Sequence, residues 1–444
     1  MIKIQLSDHF TYRKLLQFTF PSIIMMVFTS IYSVVDGFFV SNYVGKTPFA
    51  SLNLVMPFLM ILGAFGFMIG TGGSALTAMT LGMGDDKKAN RIFSLLIYLV
   101  IGIGIIFSLL GIFFLEPIAK LLGASDDMLP YCVQYGSIIL FALVPFMLQN
   151  VFQSFLVTAE KPTLGLIITL AAGLTNMILD WLFMAVFSWG IAGAAWATAI
   201  SQTIGGLVPL IYFAFPNKSK LQLGKTKLDK KTIIRTCTNG SSEFLSNISL
   251  SLTSMLYNIR LIQLAGENGV SIYGVLMYVN FIFLAVFIGF SIGTAPIIGY
   301  HHGADHHKEM KSLFKKSFII ISTVSVTMFV LAELFAKPLG TIFVGYDKEL
   351  LEMTVEAFKI CSFMFIFCGI NIFGSAFFTA LNNGLISALI SFGRTLVFQV
   401  ICVLLLPQLF GVNGLWLSVV IAEVMALIVT IICLIKNRKK YHYA

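Results

Sequence analysis

The sequence predicts an all-α membrane protein of twelve transmembrane helices, in two six-helix lobes related by a pseudo-twofold axis along the membrane normal. Three observations carry that prediction: apolar runs long enough to cross a bilayer, Lys and Arg gathered on one side of those runs, and a self-match at one constant offset.

Of the 444 residues, 58% are hydrophobic and only 11% charged, less than half the roughly 25% charge of soluble domains. Such a chain cannot cover a water-facing surface with polar groups. Its apolar stretches each exceed the roughly 20 residues needed to cross the hydrocarbon as a helix. Spans are expected near 14–42, 50–82, 88–114, 128–158, 162–187, 190–215, 232–264, 269–300, 309–336, 348–381, 384–409 and 412–436. Gly45 with Pro48, Gly82 with Gly84, Pro117, Pro162, Gly190, Pro216 and Gly411 punctuate them. Three parts follow: an N-terminal lobe 1–215, a Lys-rich linker 216–231 and a C-terminal lobe 232–444. The first apolar run is a full span with no cleavage site after it, so no signal peptide is expected.

The net charge of +9 does not mark a nucleic-acid binder, because the basic residues lie in short loops and not on one face of a folded domain. With both termini on one side, that side receives 22 of the 29 Lys and Arg. Basic loops stay cytoplasmic, so both termini and the linker are expected inside, in a multi-pass protein of the cell membrane. The six Cys are scattered without a CxxC pair, which suggests packing residues and neither a disulfide framework nor a metal site. No GxxxxGK[ST] phosphate loop is present. Any uphill transport must then draw on an ion gradient.

Sliding the chain against itself by 221 residues places Gly45 on Gly266, Gly72 on Gly293, Gly82 on Gly303, Pro117 on Pro338, Asp126 on Asp347, Asn150 on Asn371 and Gly190 on Gly411. Any membrane protein shares apolar residues with itself. Shared Gly, Pro, Asn and Asp in one register mean duplication. Six spans per copy give both halves the same orientation, and parallel repeats of this kind hold a substrate site between lobes that rock against each other.

Ionisable side chains inside hydrocarbon cost several kcal/mol unless paired or hydrated. Asp36 lies about 22 residues into the first span and Asp180 about 18 into the fifth, which runs the same way; at 1.5 Å per residue they reach similar depth. Asn176 sits one turn from Asp180, Tyr32 one turn from Asp36, and Thr198 of the sixth span reaches the same level. This oxygen-rich set suits sodium or a proton held between two carboxylates; separate packing residues are the bland alternative. Arg394 and Glu423, near mid-membrane on adjacent spans, are expected to neutralise each other as a buried pair. Glu243, on the polar stretch Ser241-Ser242-Glu243, is either a second ion or substrate site or a solvated residue. Asn150, Gln153 and Asn371 are further candidates of that kind. The tract His301-His302-Gly303-Ala304-Asp305-His306-His307 has a repeat counterpart without His, so a solvated loop is expected there and no metal.

Pro21 with Val34-Val35-Asp36-Gly37-Phe38-Phe39-Val40, Gly70-Thr71-Gly72-Gly73-Ser74-Ala75-Leu76, Asn176-x-x-x-Asp180, Ser391-x-x-Arg394 and Ile421-Ala422-Glu423 follow one another in an order and spacing that resembles the multidrug and toxic compound extrusion (MATE) family, in its bacterial DNA-damage-inducible branch. The resemblance implies an antiporter that exports amphipathic, often cationic compounds in exchange for protons or sodium, without a cofactor and as a monomer in the lipid bilayer. It also implies an N-lobe ion site at Asp36, Asn176 and Asp180, with Tyr32 and Thr198 beside it, and a bend at Pro21. Another branch carries an Asp where this chain has Asn371, which favours the N-lobe site. The alternative within the superfamily is a lipid-linked saccharide flippase, which needs a basic cavity. No nucleophile or metal constellation for an enzyme is evident.

Overall fold

The computed structural model describes residues 4–444, the side chain of Glu267 excepted. Among them the structure is helical throughout, with no strand, as a bilayer requires of segments that must satisfy their own backbone polar groups. The N-terminal half holds α1 (Tyr12–Tyr43), α2 (Lys46–Gly82), α3 (Asp86–Leu121), α4 (Leu129–Phe141 continued as Leu143–Thr158), α5 (Pro162–Val186) and α6 (Gly190–Ala214). The C-terminal half holds α7 (230–265), α8 (Asn268–Gly303), α9 (His307–Val344), α10 (Lys348–Ser362 continued as Met364–Ala380), α11 (384–410) and α12 (412–441).

Eight of the helical stretches are long and apolar enough to cross a membrane alone, and the bent α4 and α10 bring the number to ten. The last such stretch, 58 residues long, divides into α11 and α12 at Gly411 (φ 58°, ψ −137°), and α7 parts from α8 at Gly266 (φ 60°, ψ −151°). Their repeat partners Gly190 and Gly45 also have positive φ and open α6 and α2. Only glycine adopts that conformation without strain, so the duplicated register survives as four matching turns. The stretch 230–265 is not apolar enough to count by itself; Ser241, Ser242, Glu243, Ser246, Asn247 and Ser249 fill its first half.

Two helix ends differ from expectation. α3 and α9 do not stop at Pro117 and Pro338 but continue to Leu121 and Val344. A proline near a helix end removes one N–H and frees a carbonyl that water can satisfy. Pro48 lies within the first turn of α2, where the missing N–H would have no partner anyway.

Two hydrophobic cores result. One collects α2 to α6 around Phe93, Phe152, Phe155 and Phe213. The other collects the C-terminal helices around Phe287, Phe365, Phe373, Phe377 and Trp416, and also takes in Leu6, Phe10, Leu15 and Phe18 from the start of the chain. The halves meet where α2 and α8 end, on the face that carries both termini. There a Cβ on Gly82 would lie 2.0 Å from the Tyr300 carbonyl oxygen, and one on Gly303 would lie 2.0 Å from that of Met79. Both contacts are the same one seen from either half, since Met79 and Tyr300 are also 221 residues apart. The lobes therefore touch backbone to backbone on this face.

Candidate functional site

α1 enters beside α5, and Gly173 on α5 makes room for the Tyr32 ring, whose Cδ1 would lie 2.7 Å from a Cβ there. One turn further on, Asp36 faces Asp180. The two carboxyl groups are within hydrogen-bonding reach of each other. Asp180 is fully buried, Asn176 nearly so, and Asp36 half-buried. Asp180 ends the regular part of α5: the next turn, Trp181–Val186, is π-helical, a local widening that often accompanies functional positions.

The buried oxygens Asp36 Oδ1, Asp180 Oδ1, Asp180 Oδ2 and Asn176 Oδ1 have no hydrogen-bond donor among the described residues. All four are acceptors. Two carboxylates in contact have nothing to bond with unless a proton or cation lies between them. The Tyr32 hydroxyl is within hydrogen-bonding reach of Gln149 on α4. Tyr135, also on α4 and 2% exposed, lies close enough to feel the charge of both aspartates. Sequence reading missed Tyr135 and Gln149, because α4 bends by 54° between Phe141 and Leu143 and a straight helix would place them wrongly. Thr198 is half-buried on α6, and its hydroxyl makes no hydrogen bond to either carboxyl. Pro21 lies within an unbroken α1, beside a groove of about 880 Å³ lined by Leu16, Gln17, Phe20, Lys161 and Leu164.

Arg394 lies in a second π-helical turn, Gly393–Val397. Its Nη1 donates to Glu423 Oε1 at 3.0 Å. Asn371 Nδ2 donates to Glu423 Oε2 at 2.8 Å and to the Glu423 carbonyl at 2.9 Å, while Thr430 Oγ1 donates to Asn371 Oδ1 at 2.9 Å. Asn371 is thus fully engaged with the ion pair. Glu243 is half-buried on α7, close enough to Arg394 to feel its charge and without a hydrogen bond to its carboxylate. Asn150 is buried with Nδ2 unpartnered; Gln153 faces the N-lobe interior with Gln149 and Met25.

The second part of the histidine tract is solvated as expected, with Asp305, His306 and His307 exposed, but His301 and His302 lie inside α8. α8 runs through Gly303 and α9 begins at His307, so only Ala304 to His306 connect them. His301 is 2% exposed and its Nδ1 meets that of His306 at 3.2 Å. Among the described residues, no three His, Cys, Asp or Glu gather as a metal site.

The chain is 24% identical over 432 residues to the multidrug export protein MepA of Staphylococcus haemolyticus (strain JCSC1435), covering 96% of this chain and 94% of the relative. It is 25% identical over 412 residues to the MepA of Staphylococcus saprophyticus, covering 91% and 88%. Among solved structures, "Crystal structure of MATE in complex with MaL6" superposes with a TM-score of 0.94 at 19% identity, covering all of both chains. "Reverse polarity of binding pocket suggests different function of a MOP superfamily transporter from Pyrococcus furiosus Vc1 (DSM3638)" superposes at 0.90 and 19%, covering 99% of each. The MatE family profile matches twice, over residues 21–182 and 244–405, one match per half of the duplication. The chain therefore belongs to the MatE (MATE) family, a family of multi-pass membrane transporters and not of enzymes.

Proposed function

We propose that the protein is a secondary active antiporter that exports amphipathic, often cationic compounds in exchange for protons or sodium, by alternating access between its two lobes. The carrying observation is the group of four buried acceptor oxygens on Asp36, Asn176 and Asp180 with no donor among them. A proton or sodium ion satisfies them; its departure leaves a negative site that drug and ion compete for. The names of the MepA relatives support drugs as the cargo. Within the family we place the chain in the DNA-damage-inducible-type branch, on the N-lobe acids and on Asn371, which cannot ionise. The face with both termini, which carries most of the Lys and Arg, is cytoplasmic, the protein acts as a monomer, and it needs no cofactor beyond the coupling ion.

The flippase reading requires a basic cavity for phosphates. The mid-membrane Arg394 is engaged by Glu423 at 3.0 Å, which supports the antiporter instead. Export of tetraphenylphosphonium from vesicles, under pH and sodium gradients imposed separately, tests the proposal. One of the two gradients should drive export. If neither does, the antiport mechanism fails.

A further inference from the structure

The chain before α1 crosses from one lobe to the other. At its N-lobe end, the Leu6 N–H donates to Glu160 Oε1 at 2.9 Å, and Glu160, in the turn between α4 and α5, is also paired with Lys220 at 3.3 Å. At its C-lobe end, the Phe10 N–H donates to Glu309 Oε1 at 3.0 Å, His9 meets Glu309 Oε2 at 2.6 Å, and Lys316 Nζ donates to the Phe10 carbonyl at 2.5 Å. Glu309 and Lys316 stand two turns apart on one side of α9. The side chains of Leu6 and Phe10 are fully buried within the C-terminal core, and the Phe10 ring lies perpendicular to that of His301, centroids 6.4 Å apart. Asp8 folds the segment on itself by bonding Lys14 at 3.3 Å.

This arrangement is not inherited from the duplication. The repeat positions of Leu6, Phe10, Glu309 and Lys316 are Lys227, Lys231, Lys88 and Leu95; Lys227 and Lys231 are exposed. In the other half the linker is tied to α3 instead through residues 222–226, so each half has a crossing segment, but only the N-terminal arm buries apolar side chains in the opposite core and is held by a carboxylate. The bridge lies on the face where Gly82 meets Tyr300 and Gly303 meets Met79, the contact that must part for a site between the lobes to open there.

We propose that residues 4–11 are a latch, locked by Glu309, that holds the lobes together on the face carrying the termini and sets how often that face opens. α1 is the first helix of the N-terminal half and packs on α5 at Gly173, while its first turns share the C-terminal core through Leu15 and Phe18, so parting the lobes must pull these and Phe10 from that core and the Phe10 N–H from Glu309. Glu309→Gln keeps an acceptor for the part-buried Phe10 N–H but removes the charge that strengthens this bond and the pairing with His9, which changes such an equilibrium by on the order of tenfold.

Hydrogen–deuterium exchange of the full-length protein in nanodiscs tests this, comparing wild type with Glu309→Gln and with the exposed control Lys311→Gln. Glu309→Gln is expected to speed exchange about tenfold both in the arm and in the last turns of α2 and α8, with Lys311→Gln unchanged. Faster exchange in the arm alone would show that it is tied down without latching, and unchanged exchange in both would show that Glu309 locks nothing; either overturns the proposal. Should Glu309→Gln not fold, Lys316→Met removes the neighbouring bond and is read the same way. No transport is measured, so the latch can fail while the antiport reading stands, and the reverse.

Discussion

At the residue scale, the proposed ion coupling rests on side chains whose hydrogen-bonding needs the described residues do not meet. Asp36→Asn and Asp180→Asn each keep shape and hydrogen-bonding capacity while removing charge. Each is expected to abolish gradient-driven export of tetraphenylphosphonium with the protein still folded in the membrane, and the double variant should be no worse than either single one. Export at the wild-type rate by Asp36→Asn would refute the site. The Glu423 network makes the opposite forecast, because there every need is met. Arg394→Ala strands a carboxylate that is 3% exposed and should cost roughly 3–5 kcal/mol of stability. Arg394→Met with Glu423→Leu should unfold at a higher temperature than Arg394→Ala. Asn371→Ala removes two donors to Glu423 and is expected to lower stability by about 1–3 kcal/mol without changing which ion drives export.

At the element scale, helix ends and breaks decide what can move. A Cβ on Gly303 would lie 2.0 Å from the Met79 carbonyl oxygen, whereas one on Gly102 of α3 meets nothing within 4 Å. Gly303→Ala should hold α2 and α8 apart and slow export on the order of tenfold. Gly102→Ala should leave transport intact and stabilise slightly through helix propensity. Equal rates for the two variants would show that the seal plays no part in the cycle. Pro21 acts at the same scale. It cannot donate to the Gln17 carbonyl, and a groove separates Leu16, Gln17 and Phe20 from the start of α5, so the proposed bend of α1 has both a missing bond and space on that side.

At the scale of the whole molecule, the duplicated halves are joined asymmetrically. The linker lies against α3, with Gln222 N donating to Asn90 Oδ1 at 2.6 Å and Gly224 N to Ser94 Oγ at 3.0 Å, while the N-terminal arm bridges to α9. Lys227, exposed in the linker, provides the test of orientation. A cysteine in its place should react with an impermeant maleimide in everted vesicles and stay protected in intact cells. The reverse pattern would invert the topology and every depth argument with it.

The number of spans, the duplication and the four turn glycines were legible in the sequence by itself. A bilayer makes each helix satisfy its own backbone over a fixed thickness, so span length and apolarity are local properties. That Asp36 and Asp180 lie at one level could be read for the same reason, by counting residues. What each side chain touches could not. That depends on the rotation and bend of helices distant in sequence, and only the folded chain puts Tyr135 near the aspartates and Gln149 at Tyr32, engages Asn371 with Glu423, buries His301 and carries Phe10 into the opposite core. Counting also stopped α3 and α9 too early, because a proline's effect depends on whether water reaches the carbonyl it frees, and the tertiary structure decides that.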